Sequence, residues 1–587
     1  MYRFKLTNIT LNDSRQLEPT QLEPTEINVF VGPNNAGKSR VLKDILSLII
    51  DPAKPRVLAH YIGHTLPANL QELRDSYDVE RQLDGDYWGR RTLHPSLVEE
   101  AHHGLLGPSW PKAYEFGEEI QPATFRQMYG MDMVTYLSTE HRLQLVKETR
   151  SADHAYQRAN LLQALYASPK EVEQQVRHIV KDAFGREIAL DFTVPQKLLL
   201  RVGDSFDSLP PDPRDARGVL TMANKLDEQG DGIRSFVGIV VALMCIKRDL
   251  ILVDEPEAFL HPPQAFAIGA YLSQQANQNR QLVIATHSTD ILRGILSSKK
   301  RRVTVIRVDR TGDNATFNKL NPAELTRLIS DPLLSSSRVL DGLFYPGAVV
   351  VEGDSDARFF QATSKKLAEN VDLHFVNADN KQTIPSILKI YRDLGVRCAG
   401  IVDFDALNKG DEFEKQLAGI GLKDAELSQA RTLRAEIASS LVVDSPAKRQ
   451  LRMKEGILRI LDQLSSSDAR TQIEEEKRLS GLENRLRELS EDGKPWRDAK
   501  RRGVEALPDD AQSKFYALAE VCAKHGLFII PTGEIESMLT GYGVDYTTDK
   551  KGWILRALTL LPDLQPDKAR YPWRLQNEVL QFLGIAT

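Results

Sequence analysis

A glycine-rich loop near the beginning of the chain has the residue types of a nucleotide-phosphate site. Residues 27–31 (INVFV) predict a buried strand that runs into GPNNAGKS at 32–39, and a helical apolar pattern follows. In such a strand–loop–helix unit, backbone N–H groups and the positive end of the helix dipole favour bound phosphate. The Lys38 ammonium would reach the β and γ phosphates, and the Ser39 hydroxyl would bind Mg²⁺. The predicted phosphate contacts are Asn34, Asn35, Ala36, Gly37, Lys38 and Ser39.

A carboxylate pair after another apolar strand would complete this site. Residues 250–253 (LILV) lead into Asp254 and Glu255. Asp254 would hold Mg²⁺ through water, and Glu255 would act as the general base on the attacking water. A further strand, 281–285, leads to His287, which we expect to sense the γ-phosphate. These residues together predict ATP binding and hydrolysis.

A second group of carboxylates follows strands in the later part of the chain. Residues 348–351, 374–377, 399–402 and 527–530 predict four strands, three of which lead into acidic side chains. In a doubly wound parallel sheet the carboxyl ends of the strands meet at one edge. One cleft could therefore hold Glu352, Asp356, Asp403, Asp405, Glu534 and Glu536. Clustered carboxylates repel unless a cation neutralises them, and oxygen ligands favour Mg²⁺, Mn²⁺ or Ca²⁺ over zinc. Two such ions ~3.5–4 Å apart would support phosphodiester cleavage.

These motifs resemble two known kinds of domain. GPNNAGKS (32–39), LILVDEPEAFLHP (250–262) and LVIATHS (282–288) are similar to the ABC-type ATPase heads of the RecF, Rad50 and SMC kind. The later order EGxSD, DxD, GExE resembles the Toprim domain of topoisomerases, primases and the OLD (overcoming lysogenization defect) family. A head followed by a Toprim domain resembles an OLD-family nuclease. The nuclease subunit of Gabija-type antiphage defence and certain retron effectors share this layout.

The resemblance to ABC-type heads implies a dimer. Such heads carry a signature loop that contacts the γ-phosphate bound by a second subunit. The matching place is 230–235, where Gly230, Gly232 and Ser235 would contact the nucleotide. The chain would then form a homodimer or higher oligomer through its heads. The family's glutamine loop stays unassigned, with Gln127 as one candidate among several.

The resemblance to Toprim domains implies roles for the later carboxylates. Two metal ions would be held by different residues, one by Glu352, Asp403 and Asp405, and the other by Asp356 with Glu534 or Glu536. Family members also use a late lysine to stabilise the charge on the phosphorane. Lys551 and Lys568 are the candidates, and Lys551 is the residue that we carry forward as catalytic.

The elements that must position these residues divide the chain into two α/β domains. We expect an ABC-type P-loop ATPase domain over 1–335, with a helical lobe inserted at about 55–185 that could serve dimerisation. A Rossmann-like Toprim domain over 346–587 would follow, with a helical insertion at about 408–524. The first lobe is predicted from the long interval between Lys38 and Asp254 and from an amphipathic helix with Val172, Val176, Ile179, Val180 and Ala183.

The second insertion is highly charged. Its short leucine stripe, which favours packing on the Toprim body, consists of Leu479, Leu482, Leu486 and Leu489. A basic run follows around Trp496, with Lys494, Arg497, Lys500, Arg501 and Arg502. This run could bind DNA phosphates while the tryptophan stacks on a base, or it could be a solvated face. A second, weaker candidate for DNA contact is 299–302.

Composition excludes several classes of protein. The 587 residues carry 76 Lys and Arg against 81 Asp and Glu, a net charge of −5, so any nucleic-acid contact must be local. The three cysteines are too few and too distant for a disulfide framework or a cysteine zinc site. The most apolar run, 236–246, is shorter than the ~20 residues that span a bilayer. The expected location is the cytoplasm, without membrane contact.

The leading functional interpretation is an ATP-regulated, metal-dependent DNA endonuclease or nickase that serves antiphage defence. It would use ATP with one Mg²⁺ and two Mg²⁺ or Mn²⁺ ions in the Toprim site. Its partners would be DNA, a second copy, and a protein or nucleic acid of a defence system. The alternatives are a non-nucleolytic SMC/RecF-like ATPase clamp on DNA and a Toprim topoisomerase, which would need a separate tyrosine-bearing domain.

Overall fold

The chain divides into two compact units, Met1–Pro332 and Leu333–Thr587. The structure is a computed structural model that describes residues 2–13, 19–51, 54–68, 72, 79–81, 88–90, 122–151, 160–246, 248–297, 302–312, 314–321, 339–369, 372–441, 446–465, 479, 481–483, 485, 495–547 and 549–585. Among the described helices, none combines the length and the apolar character needed to cross a bilayer.

A six-stranded sheet forms the centre of the first unit. Its strands in spatial order are β15 (Asn314–Leu320), β14 (Val303–Thr311), β3 (Ile27–Val31), β13 (Gln281–Ala285), β12 (Leu250–Asp254) and β7 (Val134–Leu137). All neighbours are parallel except the β14–β15 hairpin. Every residue of β3, β12 and β13 is buried, as expected for strands covered on both faces. The predicted strands at 27–31, 250–253 and 281–285 are confirmed.

Helices and smaller sheets surround this sheet. The smaller sheets contain β1 (Leu6–Leu11), β2 (Thr20–Leu22), β4 (Ala59–His64), β5 (Val79–Arg81), β6 (Trp88–Arg90), β8 (Thr149–Arg150), β9 (Glu187–Asp191), β10 (Lys197–Gly203) and β11 (Asn224–Lys225). The helices are α1 (Lys38–Ile50), α2 (Pro122–Met133), α3 (Thr139–Leu145), α4 (Leu161–Tyr166), α5 (Lys170–Phe184), α6 (Pro213–Met222), α7 (Asp231–Cys245), α8 (Pro262–Gln275) and α9 (Thr289–Leu296).

The interval 55–185 differs from the helical lobe that the sequence predicts. Within it, β4 pairs with β1, and β7 is an edge strand of the central sheet beside β12. Helix α5 packs against β9 and α7, with Val176 and Val180 buried. Strand β7 (VTYL) mixes polar with apolar residues although three of its four residues are buried, so it lacks the apolar run that marks β3, β12 and β13, and this part of the head escapes prediction. The intervals 91–121 and 152–159 lie outside the described residues.

The second unit is built on a four-stranded parallel sheet. Its order is β17 (His374–Asn377), β16 (Ala348–Val351), β18 (Cys398–Val402) and β19 (Leu527–Ile529). All four predicted strands are confirmed to within one residue. The strands order 2-1-3-4 along the sheet, and Trp553 and Trp573 are fully buried in the core beside it.

Helices complete the second unit. They are α10 (Asp354–Leu367), α11 (Ile384–Asp393), α12 (Gly410–Gly419), α13 (Asp424–Ser440), α14 (Pro446–Ser465), α15 (Pro495–Arg502), α16 (Asp509–Lys524), α17 (Lys550–Leu560) and α18 (Trp573–Phe582). The described parts of 408–524 are helical, but α16 packs directly on β19, so the end of this interval belongs to the body of the unit. Lys494, Leu486 and Leu489 of the predicted charged insertion lie outside the described residues, as do 299–301.

Candidate nucleotide and carboxylate sites

The loop between β3 and α1 has the backbone of a phosphate-binding loop. Gly32 has φ +144°, and a Cβ there would lie 2.1 Å from the Val308 carbonyl oxygen, so only glycine fits. Gly37, at φ +100°, caps α1 in the left-handed region. The Lys38 ammonium donates to the carbonyls of Gly32 (2.9 Å) and Pro33 (2.7 Å). Burial lowers the pKa of Lys38.

The predicted magnesium ligands Ser39 and Asp254 are in direct contact. The Ser39 hydroxyl donates to Asp254 Oδ1 at 2.7 Å, and the Tyr136 hydroxyl donates to Oδ2 at 2.8 Å. Burial, followed by the Asp254 charge, raises the pKa of Tyr136, which therefore remains a donor at neutral pH. Sequence reasoning missed Tyr136, because it lies on β7, whose mixed polar and apolar sequence VTYL does not stand out as a buried strand.

Glu255 and His287 are brought together as predicted, and a third residue joins them. His287 Nδ1 lies 3.7 Å from Glu255 Oε1 and 3.1 Å from Glu257 Oε1. The His287 backbone amide also donates to Glu257 Oε1 at 2.7 Å. The contact with Glu255 raises the pKa of His287 and lowers that of Glu255, whereas burial raises the pKa of Glu257. Glu257 was missed as a site residue, although its place in DEPE was a usable signal.

The residues of the predicted signature loop lie at the start of α7. Gly230 is exposed, and Gly232 approaches the Phe259 carbonyl so closely that a Cβ would lie 2.6 Å from it. Ser235 is completely buried and accepts a hydrogen bond from Arg142. The Ser235 hydroxyl therefore faces the interior of its own unit. Arg142, which the sequence did not single out, has its pKa lowered by burial to about 10 and stays charged at neutral pH.

The six predicted carboxylates of the second unit gather at the carboxyl ends of β16, β18 and β19. The Phe404 amide donates to the Gly533 carbonyl at 2.8 Å, which joins the DxD and GExE segments. Each of these carboxylates either shifts the pKa of another member or shares a lysine partner with it. The six residues are Glu352, Asp356, Asp403, Asp405, Glu534 and Glu536.

Burial and mutual repulsion make this cluster costly to ionise. Burial, followed by the neighbouring carboxylates, raises the pKa of Glu352 and Asp403, the latter well above its usual range. Burial raises the pKa of Asp356 to about 6. The same cause raises the pKa of Glu536. Like charges held together in this way need a cation.

Lysines supply part of that positive charge. Lys500 Nζ lies 3.2 Å from Asp405 Oδ2 and 3.8 Å from both Asp403 Oδ2 and Glu534 Oε2. Burial alone would lower the pKa of Lys500, but these three carboxylates raise it above its usual value. Lys500 belongs to the run predicted to contact DNA, so one member of that run points at the carboxylates instead.

The late lysine nearest the carboxylates is Lys550 and not the predicted Lys551. Lys550 Nζ lies 3.8 Å from Glu534 Oε2 and 3.7 Å from Glu536 Oε1, although its side chain is 53% exposed. Because Lys550 is the first residue of α17, the phase of this helix decides between adjacent lysines. Sequence spacing alone does not provide that phase.

The donor set fits divalent cations. Glu352 Oε2 and both Glu536 carboxylate oxygens are buried without a hydrogen-bond partner, which leaves them available as ligands. All the candidate ligands are carboxylates, which suit Mg²⁺ or Mn²⁺. Within the described residues, no three His, Cys, Asp or Glu side chains already form a metal cage. Binding of an ion would therefore require these side chains to move toward it.

Both units match known families. The model of the OLD-like Toprim domain (overcoming lysogenization defect protein-like) matches residues 343–405. The resemblance to the OLD family is confirmed. An AAA-domain family, described as a putative AbiEii toxin of a type IV toxin–antitoxin system, matches residues 147–293. The Old nuclease of Escherichia phage P2 is 20% identical over 471 residues, covering 69% of this chain and 78% of that protein.

Solved SMC heads also resemble the chain. An Smc head bound to the winged-helix domain of ScpA is 12% identical, with a TM-score of 0.34, and covers 54% of this chain and 97% of that chain. The SMC head of Thermotoga maritima is also 12% identical, with a TM-score of 0.29, and covers 54% of this chain and 99% of that chain. The chain therefore matches an AAA-domain family in its first unit and an OLD-like Toprim domain in its second, and these family matches support an ATP-dependent nuclease.

Proposed function

We propose that the chain is a metal-dependent DNA endonuclease or nickase that binds and hydrolyses ATP. The observation that carries this proposal is the presence of two phosphate-chemistry sites in one chain. One is the contact between Ser39 and Asp254 beside a glycine loop, and the other is the six-carboxylate cluster of the OLD-like Toprim domain. We assign the ATPase domain to 1–335 and the Toprim domain to 346–587.

In the ATPase domain, each polar residue has a task set by its surroundings. Asn34, Asn35, Ala36 and Gly37 would present backbone N–H groups to the phosphates, and the Lys38 ammonium would exchange its carbonyl partners for phosphate oxygens. Ser39 and Asp254 would hold the Mg²⁺, which neutralises developing phosphate charge. Glu255 would accept the proton of the attacking water. His287, oriented by Glu257, would contact the γ-phosphate.

In the Toprim domain, the chain's carboxylates would bind divalent ions and orient the DNA phosphate. Glu352, Asp403 and Asp405 form one candidate ligand set, and Asp356 with Glu534 or Glu536 the other. Such ions activate water and stabilise the leaving oxygen. Lys500 and Lys550 would remain beside the carboxylates, where their ammonium groups can hold the negatively charged backbone. The exposed Arg501 and Arg502 on α15 extend this positive edge.

We also propose an assembly and a biological role. Gly230 and Gly232 would contact the nucleotide of a second copy, so that two heads enclose ATP. A role in antiphage defence is supported by the layout shared with Gabija-type and retron effectors. The AAA family match, described in terms of a toxin–antitoxin system, agrees with such a role. A defence-system protein or nucleic acid would then act as a further partner.

Two aspartates in the same helix allow a matched test of nuclease activity. Asp356 belongs to the cluster, whereas Asp354, two residues earlier in α10, is exposed and pairs with Arg358 at 2.8 Å. We expect Asp356→Asn to reduce Mg²⁺- or Mn²⁺-dependent cleavage of plasmid DNA by roughly 100-fold or more, because it removes a metal ligand. Asp354→Asn should cleave at the wild-type rate. Metal-dependent cleavage that survives Asp356→Asn would sink the assignment and favour a non-nucleolytic ATPase clamp.

A further inference from the structure

Arg142 lies at a buried polar junction between the nucleotide residues and helix α7. Its side chain is completely shielded from solvent in the middle of α3. A buried guanidinium is costly unless its N–H groups are satisfied. Oxygen atoms from three segments satisfy them here, at distances of 2.6–3.5 Å: the carbonyls of Leu137, Asp254 and Glu255, and the hydroxyls of Thr139 and Ser235.

One side of this guanidinium holds the peptides that carry the acidic pair. Arg142 donates to the Asp254 carbonyl at 2.6 Å and to the Glu255 carbonyl at 2.9 Å. Glu255 has φ +46°, a left-handed conformation that costs a non-glycine residue about 1 kcal/mol. The backbone of Glu255 therefore needs external support, and its conformation decides where the carboxylate points. Arg142 provides part of that support.

The other side of the guanidinium reaches the start of α7. Arg142 Nε donates to the Ser235 hydroxyl at 3.1 Å, about one helical turn after Gly230 and Gly232. The two helices also touch through their backbones, because a Cβ on Gly238 would lie 2.5 Å from the Arg142 carbonyl oxygen. A shift of α7 must therefore displace Arg142, and the displaced guanidinium must alter the backbone position of Glu255.

We infer that Arg142 is a positioning residue that couples the loop 230–235 to the orientation of Glu255. The inference rests on the proposed ATP hydrolysis and goes beyond it. A second copy that binds the loop 230–235 could in this way alter the orientation of the general base, Glu255. Arg142 acts through Glu255, and its donors face oxygen atoms of the protein itself.

The first test compares ATP binding with ATP hydrolysis in the full-length Arg142→Lys variant. Lysine keeps the charge, but its single ammonium cannot reach both the carbonyls and Ser235. We expect kcat for ATP hydrolysis to fall roughly tenfold or more, as for loss of a transition-state interaction, while the dissociation constant for ATP changes less than about twofold. An unchanged kcat, or a fall matched by an equal loss of ATP affinity, would overturn the inference.

A double-mutant cycle tests the connection itself. Ser235→Ala removes the acceptor on α7. Because Arg142→Lys already breaks this hydrogen bond, adding Ser235→Ala to it should lower kcat no further. The double variant should then hydrolyse ATP at about the rate of Arg142→Lys alone. Effects that multiply would contradict a shared route through these two residues.

A second buried arginine of the same unit separates coupling from stability. Arg201 on β10 is 8% exposed, pairs with Asp191 at 2.8 Å and donates to the Ala223 carbonyl. Arg201→Lys should lower the unfolding temperature and leave kcat per folded molecule unchanged. An equal loss of kcat in this control would make the Arg142 effect merely structural. Absence of ATP hydrolysis in the wild-type protein would instead overturn the proposed function, and this inference with it.

Discussion

Among the described residues, three lysine side chains reach the carboxylates of the second unit from separate elements. Lys381 lies ahead of α11, with Nζ 3.5 Å from Asp405 Oδ1, while Lys500 comes from α15 and Lys550 from the first position of α17. They are compact positive charges with flexible stems. A divalent ion that binds the same oxygens must compete with them.

This competition predicts the effect of removing Lys500. In Lys500→Met, the carboxylates of Asp403, Asp405 and Glu534 lose an ammonium within 4 Å. The Mn²⁺ concentration that half-saturates the protein should therefore fall, by roughly threefold or more, since attraction at this distance is worth a few kcal/mol before desolvation is counted. Titration with Mn²⁺ followed by electron paramagnetic resonance measures this affinity.

The control is a lysine in a neighbouring helix. Lys514 on α16 pairs with Glu436 at 3.2 Å, away from the cluster. Lys514→Met should bind Mn²⁺ as the wild type does. Equal affinities in Lys500→Met and the wild type would contradict competition between the ammonium and the ion.

His287 gives a second prediction at the residue scale, on pH. The contact with Glu255, and then the Glu257 charge, raises the pKa of His287. Its pairing therefore adds stability below the unfolded-state pKa of about 6.5, and that stability is lost as the pH rises through the raised pKa. In Glu257→Gln the pKa of His287 should fall, as measured by NMR of labelled imidazoles with His287→Gln for assignment. The exposed Glu171→Gln should leave it unchanged, and an unshifted pKa in Glu257→Gln would refute the pairing.

At the scale of elements, apolar runs located three strands of the first unit's central sheet and all four strands of the second unit's sheet, but not β7. Strands β3, β12 and β13 are continuous apolar segments that end in chemistry-bearing residues, so sequence alone placed Lys38, Asp254 and His287. Strand β7 has only four residues, and its place beside β12 is decided by tertiary pairing. For that reason Tyr136 and Arg142 could not be predicted as members of the nucleotide site.

Helix α15 is another element whose role depends on tertiary contacts. Its sequence is a run of basic residues, a pattern that fits both a solvated face and a DNA surface. In the fold, Gly503, just after the helix, approaches Pro531, and the Val504 amide donates to the Pro531 carbonyl at 2.8 Å. The Ser537 hydroxyl donates to the Arg501 carbonyl at 2.6 Å. These contacts hold α15 against the acidic loop after β19, and this placement brings the Lys500 ammonium next to the carboxylates.

The fastening of α15 can be tested at Gly533. Gly533 has φ +108°, and a Cβ there would lie 2.1 Å from the Lys500 carbonyl oxygen. Gly533→Ala should therefore lower the free energy of unfolding by more than the about 1–2 kcal/mol of left-handed strain, and it should reduce DNA cleavage by displacing α15. Gly543→Ala is the control, since Gly543 has φ +85° but no atom within 4 Å of an added Cβ. Denaturant titration of both variants measures the difference, and equal losses would contradict the close approach.

At the scale of the whole molecule, the two chemistries lie in separate compact units. The proposed nucleotide ligands fall within Met1–Pro332, and the carboxylates of the cluster fall within Leu333–Thr587. The net charge of −5 gives no general attraction for DNA, so the proposed DNA contact would depend on local lysines and arginines. Each site should accordingly tolerate loss of the other's chemistry.

Asp356→Asn tests this separation. The variant should lose DNA cleavage and keep ATP hydrolysis within about twofold of wild type, because Asp356 and the residues of the candidate nucleotide site belong to different compact units. The converse variant, Glu255→Gln, should lose ATP hydrolysis. Phosphate release and plasmid cleavage, measured on the same preparations, provide the comparison. A parallel loss of ATP hydrolysis in Asp356→Asn would show that the carboxylates also support the head.

The internal lysines also bear on how the protein is made. Six acidic side chains packed together without compensation would delay folding of their domain until ions arrived. Lys381, Lys500 and Lys550 act as built-in counter-ions, so we expect the second unit to fold without bound magnesium. Metal loading would then follow folding, and the proposed nuclease would remain folded and inactive until it binds its ions.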